Sequence, residues 1–349
     1  MKKGWTYDKL GDICKLYQPH TISSKEMVDD GKYDVFGANG IIGKYNKYNH
    51  EEPEILMTCR GATCGNINVS TPKSWINGNA MVVHIKDEKT LNKSFLIYIL
   101  SHIDKTHIIT GAAQPQITRQ TLSPLMIGYP TLSEQERIVE RLDAAFAQID
   151  ELKSNAERQL AEARALFQSA LTQAMQPKPG WHEKTLGEIA NIIHGKNQKE
   201  VVSETGKYPI YGSGGNIMGY ATDYLCEAGT TILGRKGSIN NPQFINERFW
   251  NVDTAFGISA KEDNDNKFIY YFIKSVDWSK KNTGTTLPSL TQSVVKSVNL
   301  FVPNLTDQQT ISSYLDSLHA QILEIDRVNK RTAAECDALK QALLRQIFE

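Results

Sequence analysis

The chain has 349 residues, with 39 Lys and Arg against 39 Asp and Glu, and is 22% charged and 40% apolar. That composition excludes disordered and collagen-like classes, and the length allows a core without disulfide or metal staples. A formal net charge of zero excludes a polycation that grips phosphate over its whole surface, but not a local basic groove.

The start, Met1 to Asp8, lacks the apolar stretch of a signal peptide. The longest apolar run, Phe95 to Leu100, is about six residues and far short of a membrane span. A soluble, cytoplasmic protein is expected. Cys14, Cys59, Cys64, Cys226 and Cys336 are odd in number and form no Cys-x-x-Cys pair. Cys59 and Cys64 supply half a zinc site at most, so reduced thiols, no metal and no cofactor are expected.

Residues 4–132 are rich in Gly, Asn, Thr and aromatics. Short β-type runs (Tyr33 to Phe36, Ile55 to Thr58, Ala80 to Ile85) alternate with Gly and Asn turns, and one helix-like stretch, Lys93 to Ser101, interrupts them. This predicts an α+β domain with an irregular sheet. From Ser133 the pattern switches to a long helix, with Ser133 and Glu136 spaced as a capping box. Apolar residues recur at Ile138, Leu142, Ala145, Ile149, Leu152 and Ala156 and continue through Phe167 to Ala174, until Pro177 and Pro179 stop the run. Some 43 residues rising 1.5 Å each make roughly 65 Å, longer than a small domain, so the stripe predicts pairing with another helix. Residues 176–305 return to the mixed pattern. Residues 306–349 form a second long helix with Ile311, Leu315, Leu318, Ile322, Ile325, Leu339 and Leu343 in its stripe.

The chain is written twice. Gly4-Trp5 and Leu10-Gly11-Asp12-Ile13 return 176 residues later as Gly180-Trp181 and Leu186-Gly187-Glu188-Ile189. An offset of 175 relates Gly37 to Gly212, Tyr45 to Tyr220, Arg60 to Arg235 and Trp75 to Trp250. An offset of 173 relates Thr110-Gly111 to Thr283-Gly284, Gln135 to Gln308 and Leu142-Asp143 to Leu315-Asp316. The predicted order is a domain at 1–132, a helix at 133–175, a domain at 176–305 and a helix at 306–349. Only residues 176–180 separate the first helix from the second domain, too few to return the chain for a parallel pair. An antiparallel coiled coil between two domains related by a pseudo-twofold axis is expected.

Two similar, non-identical domains on a dyad suit duplex DNA, whose half-sites repeat with a helical turn of about 34 Å. Charge is distributed accordingly: 15 basic against 12 acidic residues in 1–132 and 14 against 12 in 176–305. The helices carry 5 against 8 and 5 against 7. The small positive excess sits on the domains.

These residues resemble a family. The Gly4-Trp5 and Leu10-Gly11-Asp12-Ile13 pair with its repeat, the Tyr33-Asp34-Val35-Phe36-Gly37-Ala38-Asn39-Gly40 turn, and Pro130 to Ile138 with the helix that follows are similar to the specificity subunit of type I restriction-modification systems. The likeness extends from Gly4 to Phe348. It implies two target-recognition domains that read a bipartite, asymmetric double-stranded DNA site, with no catalytic residue in this chain. It also implies two modification (methyltransferase) subunits as partners, and restriction (endonuclease) subunits joined through the complex. The specificity partner of a fused restriction-methyltransferase polypeptide is the alternative. The second copy departs at its helix start, Thr306-Asp307-Gln308-Gln309-Thr310, and in its recognition residues, as two different half-sites require.

Three segments per domain carry candidate DNA contacts. The Gly37 to Tyr45 turn offers Asn39 and Lys44, and its counterpart offers Ser213 and Asn216. It is not a Walker loop, because Ala38 stands at the first Gly position and Tyr45 follows the Lys. The loops after the central β run offer Arg60, Thr63 and Asn66, and Arg235, Lys236, Ser238 and Asn240; Arg suits guanine O6 and N7. The third segment, Thr110 to Arg119, offers Gln114, Gln116, Thr118 and Arg119, and its counterpart Lys280, Lys281, Thr285, Ser289 and Gln292. Gln suits adenine, and hydroxyls and Lys suit phosphate. The structural alternatives are tight turns, surface ion pairs and solvated loops. Trp75 and Trp250 are expected to pack cores, and His84 and His194 to be structural or surface residues.

Asn241-Pro242-Gln243-Phe244 approaches the catalytic loop of amino-methyltransferases, but Gln243 replaces its second proline and no Gly-rich cofactor loop precedes it. A self-contained methyltransferase therefore lacks its parts. A scaffold that touches no DNA accounts for the helices but not for two divergent polar domains.

Overall fold

The structure, a computed structural model, describes residues 2–111 and 114–349. The first half of the chain runs β1 (Thr6–Lys9), α1 (Leu10–Ile13), β2 (Cys14–Tyr17), β3 (Tyr33–Gly37), β4 (Gly40–Tyr45), β5 (Ile55–Thr58), β6 (Ile67–Val69), β7 (Trp75–Ile76), β8 (Ala80–Ile85), α2 (Lys93–His102), α3 (Arg119–Leu122), β9 (Met126–Tyr129) and α4 (Leu132–Ala174). The second half repeats the order with β10 (His182–Thr185), α5 (Leu186–Ile189), β11 (Ala190–His194), β12 (Tyr208–Tyr211), β13 (Ile217–Ala221), β14 (Thr230–Gly234), β15 (Gln243–Ile245), β16 (Trp250–Asn251), β17 (Ala255–Ala260), α6 (Asn266–Ser275), α7 (Gln292–Lys296), β18 (Asn299–Val302) and α8 (Leu305–Phe348).

The chain divides into two compact units. One holds the residues up to Asn155 together with Arg331–Glu349, and the other holds Ala156–Lys330. Each unit contains the same three sheets. The four-stranded sheets run β2-β8-β5-β6 and β11-β17-β14-β15, the three-stranded sheets β4-β3-β7 and β13-β12-β16, and the ribbons β1-β9 and β10-β18. β5 and β14 are buried at every residue, including Thr58, Thr230 and Thr231, which is why neither shows polar–apolar alternation.

Each unit also contains the start of one long helix and the end of the other. Ile138, Leu142 and Leu344 lie in the first unit's core with Leu10, Phe95 and Leu122. Phe167, Leu171 and Leu315 pack with Tyr270 and Tyr271 in the second. In the first unit Asp150 meets Lys340 at 2.6 Å and Lys153 meets Asp337 at 3.3 Å. In the second, the Asn329 side chain donates to the Ala156 carbonyl at 2.6 Å and Arg164 meets Asp326 at 3.3 Å. Partner numbers fall as the α4 numbers rise, so the pairing is antiparallel, as expected. Exposed ion pairs contribute about 0–1 kcal/mol each, so the apolar seam holds the helices.

A pair of equivalent contacts fixes each helix to its own unit. Gln135 is fully buried; its Oε1 accepts from the Asn92 amide at 2.8 Å, and its Nε2 donates to the carbonyls of Thr90 and Pro130, each at 2.9 Å. Gln308 does the same: Oε1 accepts from the Asp265 amide at 2.8 Å, and Nε2 donates to the Pro303 carbonyl at 3.0 Å and Asn264 Oδ1 at 3.3 Å. Asn92 and Asp265 are the caps of α2 and α6, accepting from the amides of Phe95 and Phe268. Two turns further on, the Tyr98 hydroxyl donates to Asp143 and that of Tyr271 to Asp316, the latter at 2.5 Å.

Three expectations change. Ser133 lies inside α4, which starts at Leu132; the amides of Glu134 and Gln135 instead bond the Thr131 carbonyl. Leu152 and Leu339 are 57% and 50% exposed and leave the seam, because a 3.6-residue turn drifts against a seven-residue pattern. Tyr45 faces Tyr33, whereas Tyr208 faces Ala221. The second hairpin turn is therefore one residue longer, so Tyr220 corresponds to Lys44; the shift persists through β14, where Arg60 corresponds to Lys236 and not to Arg235.

Replacing Gln135 or Gln308 by Ala strands a buried amide and carbonyls, and about 1–3 kcal/mol of stability should be lost. Urea unfolding checks this; an unchanged midpoint contradicts it.

Candidate nucleic-acid interface

The three candidate segments, far apart in sequence, meet at the end of β5. The Ile117 amide donates to the Cys59 carbonyl at 2.9 Å, and the Gly61 amide to the Pro115 carbonyl at 3.0 Å. Thr110 and Gln116 exchange backbone bonds at 2.8 and 2.7 Å, closing the third segment into a loop. The Thr58 hydroxyl donates to the Ala38 carbonyl and ties in the hairpin turn. Ala112 and Ala113 of that third segment lie outside the described residues.

The second unit repeats the junction at the end of β14. The Gly237 amide donates to the Pro288 carbonyl and the Leu290 amide to the Arg235 carbonyl, each at 2.8 Å. The Asn241 side chain reaches the Gly214 carbonyl at 3.4 Å. Gly234 makes this closure possible: a Cβ there would lie 2.2 Å from the Ser238 carbonyl oxygen and 3.1 Å from that of Ser213.

Within these junctions the predicted residues divide into two groups. Asn39, Arg60, Thr63, Asn66, Gln114 and Arg119 are exposed in the first unit, and Asn216, Lys236, Ser238, Lys280, Lys281 and Thr285 in the second. Lys280 pairs with Asp277 at 3.6 Å, but its side chain is 81% exposed, so the pair is weak. The other group is engaged internally. Lys44 pairs with Asp34 at 3.2 Å, but half of its side chain is exposed, so this pair too is weak. Thr118 caps α3 by accepting from the Thr121 amide at 3.2 Å. Arg235 donates to the Asp253 carbonyl at 2.9 Å, and Asn240 accepts from the Trp278 amide at 2.7 Å. Gln292 donates to the Ile192 carbonyl at 2.8 Å. Gln116, Ser213 and Ser289 are half-buried.

Sequence reasoning missed two residues that shape these loops. Asn282 Oδ1 accepts from the amides of Gly284 and Ser289, both at 2.8 Å, and its Nδ2 donates to the Gly284 carbonyl at 3.0 Å. It thereby staples the loop that carries Thr285. An Asn just before Thr-Gly is a recognisable turn signal, but the equivalent position in the first copy is Ile109. Lys105 donates to the carbonyls of Leu100 and Ile103 at 2.6 and 3.2 Å, and burial holds its ammonium below the usual value. Gly65, at φ +91°, lets the Thr63–Asn66 loop pass over the lysine stem.

The remaining candidates are structural. Trp75 Nε1 donates to Asn77 Oδ1 at 3.2 Å and Trp250 Nε1 to the Lys196 carbonyl at 3.0 Å. His84 meets Glu54 at 2.8 Å, and His194 sits edge-on to Phe256. Asn241 accepts from Gln243 at 2.9 Å at the entry to β15. Burial pushes the Cys59 thiol up to about 11 and those of Cys14 and Cys226 up to about 12. Among the described residues no group of three or more His, Cys, Asp or Glu is placed to hold a metal ion.

This division predicts a stability loss for one group and none for the other. Thr118→Ala should lower stability by about 1 kcal/mol through the lost cap, while Arg60→Ala and Lys281→Ala should leave the unfolding midpoint within about 0.5 kcal/mol of the parent. Equal losses in all three, measured by thermal or urea unfolding, contradict the division.

Comparison with known proteins agrees with the doubled architecture. The type I restriction modification DNA specificity domain matches twice, at residues 2–162 and 178–334. A Mycoplasma pneumoniae protein named as a type I specificity subunit is 22% identical over 328 residues, covering 89% of this chain and 88% of its own. A Haemophilus influenzae protein named as a type I restriction enzyme specificity subunit is 26% identical over 336 residues, covering 88% and 85%. A chain from a solved type I restriction-modification system has a TM-score of 0.81 at 17% identity, covering 100% of this chain and 98% of its own, and so shares the fold. The HsdS subunit from Thermoanaerobacter tengcongensis has a TM-score of 0.60 at 18% identity, covering 100% and 97%. With two copies of that domain spanning most of its length, the chain belongs to the type I restriction-modification DNA specificity family.

Proposed function

We propose that the chain is the specificity subunit of a type I restriction-modification complex, reads a bipartite asymmetric DNA sequence, and contributes no catalytic residue. The observation that carries this reading is the repeated junction, in which equivalent backbone bonds join the post-strand loop to the third segment in both units while the side chains presented differ. The first unit offers Asn39, Arg60, Gln114 and Arg119, and the second Lys236, Ser238, Lys281 and Thr285. Amides and guanidinium groups suit base edges, while lysines and hydroxyls suit phosphate and sugar. Two scaffolds alike in backbone and unlike in contact groups fit two different half-sites.

The helices supply reasons for protein partners. A groove of about 490 Å³ in the first unit includes Arg141, Ala145, Gln148 and Leu343 in its lining. A groove of about 440 Å³ in the second includes the equivalent Tyr314, Leu318, Gln321 and Ala170. Leu166 and Leu323 are 72% and 59% exposed along the same helices. Matching apolar grooves, one per unit, fit a partner present in two copies, and the modification subunit is the natural occupant. Methylation and cleavage then reside in the modification and restriction subunits. No helix among the described residues is long and apolar enough to cross a membrane; the proposed action on cellular DNA is what supports a cytoplasmic complex.

Methylome sequencing of a host that expresses the chain with its modification subunit tests the reading. One asymmetric motif with an unread gap should appear, and Arg60→Ala should relax base preference in one half of it only. No motif, or one continuous motif, contradicts the proposal.

A further inference from the structure

Both units carry the same irregularity beside the junction. In the first hairpin Val35 faces Gly43 and Phe36 faces Ile41, which leaves Ile42 as an extra residue. In the second, Ile210 faces Gly219 and Tyr211 faces Ile217, which leaves Met218 extra. A bulge breaks strand alternation and re-aims side chains. Here two successive aliphatic residues emerge in each copy: Ile41 and Ile42 are 56% and 51% exposed, and Ile217 and Met218 are 51% and 58% exposed.

The glycines opposite accommodate the extra side chain in both copies. A Cβ on Gly37 would lie 2.7 Å from Ile42 Cγ2, and one on Gly212 would lie 3.0 Å from Met218 Sδ. β4 and β13 are edge strands, where charged residues are the usual protection against stray pairing. β4 carries one such residue, Lys44, yet both edge strands also expose an aliphatic doublet.

Their position and size indicate what they touch. Gly37 adjoins Ala38, whose carbonyl is held by Thr58, two residues before Arg60. Gly212 adjoins Ser213, whose carbonyl lies against Gly234. The doublets therefore border the polar junctions directly. Two half-exposed side chains offer on the order of 200 Å², whereas a protein interface takes about 800 Å² per partner. That size fits a small apolar feature within a polar surface, and in the major groove of DNA the thymine C5-methyl is such a feature.

We infer that Ile41 with Ile42, and Ile217 with Met218, are specificity-determining residues, each doublet contacting a thymine methyl in the half-site of its own unit. The inference rests on the DNA-reading function proposed above.

Deoxyuridine keeps Watson–Crick pairing but lacks the methyl, so it isolates the contact. With the complete methyltransferase complex, each thymine of the motif is replaced singly and binding is measured by anisotropy. One thymine in each half-site should show about fourfold weaker binding on replacement, the value of one buried methyl. The Ile41→Ser, Ile42→Ser double variant should bind thymine and uridine duplexes alike in the first half-site while keeping the second half-site's sensitivity, which also reports that it is folded. Ile217→Ser with Met218→Ser should do the reverse. Specific binding by the parent with no thymine sensitivity, a half-site without A·T pairs, or variants that keep the parent's sensitivity overturn the inference. The parent arm needs no variant. Absence of any sequence-specific binding by the parent complex overturns the DNA-reading proposal instead.

Discussion

A buried glutamine amide at the first turn of each long helix is the constraint on which the units depend. Gln135 and Gln308 each satisfy a backbone amide at the start of a short helix and carbonyl groups on either side. The long helix thus leaves its unit in one fixed orientation relative to the four-stranded sheet, because α2 and α6 pack with that sheet in the same core. Tyr98 with Asp143, and Tyr271 with Asp316, pin the next turns. An apolar contact at these positions would allow the helix to slide or rotate. A three-bond amide clamp does not.

The opposite end of each sheet is where variation is admitted. The backbone bonds that join the post-strand loop to the third segment are equivalent in both units, while the hairpin is tied by a different side chain in each, Thr58 or Asn241, and the exposed side chains differ. Lengthening the second hairpin turn by one residue, or closing a loop with Asn282 where the first copy has Ile109, changes what is presented without disturbing the sheets. A fixed frame with exchangeable loops suits a chain proposed to read two different half-sites.

Much of this was legible in the sequence because duplication and helical periodicity are signals over many residues. The offsets of 173 to 176 located the second copy, and the stripe from Ile138 to Ala174 located α4 and its need for a partner. Features decided by single hydrogen bonds were not legible. Ser133 and Glu136 had the spacing of a capping box, yet the helix starts at Leu132. Thr118, Arg235, Asn240 and Gln292 have the chemistry of DNA contacts but are used internally. Residue type announces what a side chain can bond, and only the fold decides whether a backbone group claims it first. The bulged doublets were invisible for the same reason, since a register shift leaves no mark in composition.

The central claim is that each unit reads its own half-site independently, on a frame set by its clamp. Exchanging residues 4–132 for the matching domain of another family member, with both long helices retained, tests it most directly when followed by methylome sequencing. The account predicts a motif in which one half-site is new, while the other half-site and the gap are unchanged. A motif altered in both halves contradicts it.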